Sequence, residues 1–143
     1  MTSLLDTSVL VPALVEVHPN HERAYPWLER AAAGEINVAV SNHSLAETYA
    51  TMTKLPVRPK IPPGLASRLL RDGTVALTLV PLTAEDYHRT IGRIAELGLA
   101  GGMVYDALIA CAAQKLDVEA LVTFNVSDFR RVWPEGHDRI VAP

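Results

Sequence analysis

Short apolar runs alternate along the chain with longer stretches in which apolar residues recur at helical spacing, and this alternation predicts an α/β domain on a mainly parallel sheet. An opening strand stops at Asp6, and Thr7 or Ser8 is placed to cap the apolar helical stretch that follows. His18-Pro19-Asn20 breaks the pattern, and a second helix is expected from about His21 to Ala33, with Trp27, Leu28 and Ala31 on one side and Gly34 ending it. Ile36 to Val40 reads as the second strand and Ser41 to Leu55 as the third helix. The Pro- and Lys/Arg-rich segment Pro56 to Pro63 is a loop, after which Pro62 or Pro63 opens a short helix through Leu65, Leu69 and Leu70, closed by Gly73.

Val75 to Leu82 alternates as a third strand. Thr83, with Asp86 three residues on as a partial capping box, opens a helix to Gly98. Gly101-Gly102 introduces a helix from Met103 to about Leu116, Ala120 to Phe124 forms the fourth strand, Ser127 to Trp133 a helical turn, and Arg139 to Ala142 an edge strand. The expectation is four or five strands with helices between them.

A length of 143 residues suits one domain over residues 1–143, large enough to bury a core without staples. Cys111 is the single cysteine, so no internal disulfide forms, and its apolar neighbours mark it as a small buried residue. Neither a basic-then-apolar leader nor a run of ~18 apolar residues is present, so a soluble, cytoplasmic protein away from membranes is expected. The net charge of −3 gives no overall electrostatic case for nucleic acid. Local groups such as Lys54, Arg58 and Lys60, or Arg89 and Arg93, read as solvated faces.

Against that background a few charges stand out. Asp6 is the only charged residue in the first fifteen and lies between apolar runs, where an ionised carboxylate is costly unless a cation or several donors meet it. Helix capping is the competing role. Asp106 is the one carboxylate in Met103 to Ala113, a segment apolar on nearly every face, with no Lys or Arg within a turn; the alternative is an acid favoured by the helix N-terminus. Glu47 either closes a capping box with Ser44 or, if the helix begins at Ser41 or Asn42, sits in its second turn and reaches over the strand ends. Asn125 and Asp128 follow the fourth strand directly, where they also suit a turn.

Asp6, Glu47, Asp106 and the Asn125/Asp128 pair all fall near one edge of a parallel sheet, outside the carboxyl ends of its strands, where ligands gather. Hard oxygen ligands without clustered His or Cys favour Mg²⁺ or Mn²⁺ over zinc. His18, His21, His43, His88 and His137 show no such grouping and read as surface or capping residues.

In this order the motifs resemble those of the PIN-domain ribonucleases, especially the VapC-like toxins of bacterial toxin–antitoxin pairs. Leu4-Leu5-Asp6-Thr7-Ser8-Val9 resembles the family's opening strand and first acid, Ser44 to Glu47 its second motif, Tyr105-Asp106-Ala107-Leu108-Ile109-Ala110 its third, and Thr123 to Phe129 its fourth. The resemblance implies a five-stranded parallel sheet between helices and one or two Mg²⁺ or Mn²⁺ ions used to hydrolyse RNA phosphodiesters. It makes Asp6, Glu47, Asp106 and Asp128 the catalytic acids, with Asp6, Asp106 and Asp128 on the metal. Thr7, Ser8 and Asn125 would orient carboxylates, water or phosphate. Some relatives carry an acid where this chain has Asn125, which cannot supply charge, so Asp128 takes the fourth place. A homodimer and an antitoxin that occludes the pocket, with an arginine among the carboxylates, are also implied.

Two other readings differ in class. A haloacid-dehalogenase phosphatase would need a second Asp two residues after Asp6, where Ser8 stands. A noncatalytic PIN-like module binding RNA or protein would tolerate Asn125.

Overall fold

The computed structural model describes residues 1–143. Its elements are β1 (Thr2–Leu5), α1 (Thr7–Leu14), α2 (His21–Ala32), β2 (Asn37–Ser41), α3 (Asn42–Met52), α4 (Pro63–Thr74), β3 (Thr78–Val80), α5 (Ala84–Glu96), α6 (Met103–Lys115), β4 (Ala120–Val122), α7 (Val126–Val132), a 3₁₀ segment (Pro134–Arg139) and β5 (Ile140–Val141). The five strands form one sheet in the order β3-β2-β1-β4-β5. Every pairing is parallel, as the alternation implied.

Successive side chains leave a strand on opposite faces, so a sheet covered on both sides needs apolar residues at consecutive positions. Leu4, Ala39, Leu121 and Ile140 pack into the core beneath α5, α6 and α7. Their neighbours Leu5, Val38, Val40 and Val122 pack with Leu10, Ala24 and Leu28 of α1 and α2 on the other face. Ala107 to Ala113 of α6 are all buried, in keeping with a helix apolar on almost every side.

Strand order decides where a site can form. β2 and β3 extend the sheet on one side of β1, and β4 and β5 on the other. The chain therefore leaves the ends of β1 and β4 in opposite directions, which opens a crevice between them at their carboxyl ends. The Asp6 N–H donates to the Val122 carbonyl at 3.0 Å and ties the two strands together at that crevice.

Several boundaries differ from those expected. Thr7 and Ser8 do not cap α1: Asp6 holds the N-cap position, its carbonyl accepting from Val9 and Leu10, while its side chain makes no cap bond. α3 is capped by Ser41, whose Oγ accepts from the Ser44 N–H, so Ser44 and Glu47 form no capping box. Gly73 lies inside α4 rather than closing it, and its lack of a side chain lets α1 pack close, since a Cβ there would stand 2.2 Å from Leu14 Cδ2. With α4 running to Thr74, β3 shrinks to three residues. The Thr83/Asp86 capping box is complete, each side chain bonding the other's backbone N–H.

Candidate active site

Asp6 leaves the end of β1 only 3% exposed and is met by two hydroxyls. Ser8 Oγ donates to Asp6 Oδ2 at 2.7 Å, and Thr123 Oγ1 donates to the same oxygen at 2.8 Å. Each hydroxyl has one proton, so spending it on Asp6 leaves its lone pairs free to accept. Ser8 Oγ accepts from the Phe124 N–H at 3.0 Å and Thr123 Oγ1 from the Asn125 N–H at 2.9 Å. The segment after β4 thereby positions the hydroxyls, and the hydroxyls position the acid. Both bonds favour the charged form, yet burial outweighs them and raises the Asp6 pKa above the ordinary carboxylate range.

Glu47 comes from the second turn of α3 and Asp106 from the first turn of α6, two helices whose N-termini lie at the same end of the sheet. A cavity of about 360 Å³ takes Asp6, Glu47 and Asp106 in its lining, with Thr7, Ser8 and Asn125. Val11, Phe124 and His18 also face it, and no Lys or Arg does. Burial first, and then the charge of Asp6, push Glu47 up to about 7. Burial, followed by Asp6, Asp128 and Glu47, pushes Asp106 to about 7. The acids therefore repel one another across a space that offers them no side-chain cation.

Asp128, on the first turn of α7, is half-buried and close enough for its charge to raise Asp106, but it does not line the cavity. Asn125 is exposed at the mouth and its side chain caps nothing. As the side chains lie, no three of the His, Cys, Asp and Glu groups stand close enough together to hold a metal ion. The donor chemistry nevertheless suits one. Three carboxylates face one space, Glu47 Oε1 is buried with no hydrogen bond although His43 Nε2 lies 3.2 Å away, and Thr7 Oγ1 is buried without a partner. Such groups require a hard cation or protons.

The sequence reading missed three residues. Thr123 is fully buried beneath Asp6. His18, taken as a surface or capping residue, accepts the Asn20 N–H on its Nδ1 ahead of α2, and it also lines the acid cavity. His43, also taken as a surface or capping residue, is only 17% exposed; its Nε2 lies 3.2 Å from Glu47 Oε1 and its ring stacks on Tyr105. The i,i+4 spacing of His43 and Glu47 was the available signal.

The family model of the PIN domain matches residues 3–133. The ribonuclease VapC27 of Mycobacterium tuberculosis is 39% identical over 110 residues, covering 76% of this chain and 74% of that one. VapC40 of the same organism is 34% identical over 116 residues, 81% of each chain. Among solved structures, Mycobacterium tuberculosis VapC20, a toxin that cleaves the sarcin–ricin loop, superposes with a TM-score of 0.68 at 16% identity over 88% of this chain and 92% of that one. VapBC2 from Rickettsia felis, bound to a DNA fragment from its promoter, gives 0.64 at 22% identity over 100% and 98%. At those identities the two structures speak for the fold.

Proposed function

The chain belongs to the PIN-domain family, and from that membership and its acid cavity we propose that it is a divalent-metal-dependent endoribonuclease, the toxin of a toxin–antitoxin pair. The observation that carries the reading is the convergence of Asp6, Glu47 and Asp106 on one cavity without a Lys or Arg to neutralise them. The domain is taken to run over residues 1–143, since β5, beyond the matched span, completes the sheet beside β4.

Asp6 and Asp106 would hold Mg²⁺ or Mn²⁺, one ion or two, joined by Asp128 if its side chain turns into the cavity, with Glu47 completing the acid set. Bound there, such an ion would supply positive charge at the scissile phosphate and lower the pKa of a nearby water. Both hydroxyls that hold Asp6 engage Oδ2, and the backbone of Thr7 and Ser8 also favours the charged carboxylate, so the acid is held in place before any ligand arrives. Glu47 and Asp106, which retain protons near neutrality, surrender them as they take up their share of the charge. Asp128 adds negative charge beside Asp106. Thr7 Oγ1 inside the cavity and the Asn125 amide at its mouth would orient water or a phosphate oxygen. Water adds to phosphorus, the P–O3′ bond breaks and O3′ takes the proton, leaving a 5′-phosphate and a 3′-hydroxyl.

No helix is long and apolar enough to cross a membrane. We place the protein in the cytoplasm as a homodimer, held inactive by an antitoxin whose arginine enters the acid cavity in place of the ion. The test is RNA cleavage by the purified chain, freed of any antitoxin. Cleavage that begins with Mg²⁺ or Mn²⁺ and stops with EDTA supports the reading, whereas RNA binding without cleavage under any divalent ion favours the noncatalytic module.

A further inference from the structure

No Lys or Arg lines this cavity, so beyond the ion its acids would hold, affinity for the flanking nucleotides has room for a source that does not depend on charge. Aromatic faces provide one, because every unpaired base has a π-face and stacking tolerates any sequence.

Two aromatic residues lie near the acids, Phe124 in the cavity lining and Tyr105 outside it, next to Asp106 in the chain. Phe124 lines the cavity from the β4 side, with the Arg23 guanidinium over its ring, 4.9 Å from the centroid. Tyr105 precedes Asp106 on α6 and is 50% exposed. One face of Tyr105 is covered by His43, with ring centroids 5.4 Å apart and planes within 5° of parallel. His43 is itself only 17% exposed, packed between Tyr105 and the Glu47 side chain, whose Oε1 lies 3.2 Å from its Nε2. The backing matters: an exposed tyrosine alone samples several rotamers, while one stacked on a buried ring is preorganised and loses less entropy when a ligand lands on it. Its exposed surface therefore lies on the face and edge turned away from His43, on the helix turn that carries Asp106.

We propose that Tyr105, backed by His43, is the platform on which an unpaired nucleobase of the RNA stacks, next to the nucleotide whose phosphate enters the acid cavity. The platform selects single-stranded or looped RNA over paired RNA, since a base inside a duplex has no free face to offer. It rests on the ribonuclease reading and adds to it a binding subsite outside the acids.

The test uses short unstructured RNAs of randomised sequence carrying one 2-aminopurine, mixed with the full chain in Mg²⁺, with fluorescence followed during binding and cleavage measured in the same samples. Wild type and Tyr105→Phe are expected to quench the fluorophore. Tyr105→Leu should lose the quench and raise the half-saturating protein concentration about tenfold, and His43→Ala should move the same way by a smaller factor. Circular dichroism of each variant checks that it is folded. Unchanged quench and half-saturation in folded Tyr105→Leu would overturn the platform while leaving the ribonuclease reading intact. Wild-type protein that neither binds nor cleaves RNA would overturn that reading and the platform with it.

Discussion

Thr123 Oγ1 donates to Asp6 Oδ2 at 2.8 Å, joining the residue after β4 to the residue after β1 across 117 positions of sequence. This bond converts a strand-order reversal into a fixed carboxylate. Thr123→Val keeps the shape, removes the donor and strands the Asn125 N–H. The expected result is a loss of about 1–2 kcal/mol in urea unfolding and ~10–100-fold in Mg²⁺ affinity by calorimetry. Thr123→Ser, which retains the hydroxyl, should recover most of the affinity.

The raised pKa values set a pH dependence. Glu47 and Asp106 hold their protons more tightly folded than unfolded, each at about 7. Their contribution to stability is therefore complete below the unfolded carboxylate range and is lost as pH rises through about 7. Scanning calorimetry in EDTA should show the melting temperature falling between pH ~6 and ~8 by the equivalent of about 1 kcal/mol or more, roughly 3 °C. A melting temperature that rises over that interval would place the repulsion elsewhere.

A divalent ion should reverse that trend, because it competes with the same protons. Mg²⁺ is expected to raise the melting temperature more at pH ~8 than at pH ~6, and to release protons on binding near neutrality. Asp106→Asn should remove most of the stabilisation by Mg²⁺ while raising the stability of the metal-free chain.

Gly136 tests the packing under β5. It is buried in the 3₁₀ segment, and a Cβ added there would stand 2.2 Å from Trp133 Cδ2 and Cε2. Trp133 is a core residue, so the ring has little room to yield. Gly136→Ala should cost about 1–3 kcal/mol in urea unfolding, with the acid cavity unaltered.

Asp6 and Asp106 were legible in the sequence because a lone carboxylate in an apolar stretch is a local signal, and both are drawn into the same cavity. Glu47 was half legible. Its spacing from Ser44 fitted a capping box as well as a site, and the Ser41 hydroxyl settles the matter by taking the cap. Thr123 stood at the head of the fourth motif but was given no role, for a different reason. A threonine after a short apolar strand looks like an ordinary strand residue, and its role exists only because β4 lies beside β1. Gly73 shows the same limit, since its need for a missing side chain comes from Leu14, far away in the chain. Periodicity carried the elements, whereas the contacts between them had to be seen in three dimensions.

The central claim is that Asp6 and Asp106 belong to one metal-dependent centre that cleaves RNA. Its most direct test is single-turnover cleavage in Mg²⁺ by wild type, Asp6→Asn and Asp106→Asn, each checked for folding. Wild type is expected to cleave, and each substitution to lower the rate by about a thousandfold or more, equivalent to ~4 kcal/mol of barrier. Cleavage at near wild-type rates by both folded variants would contradict it.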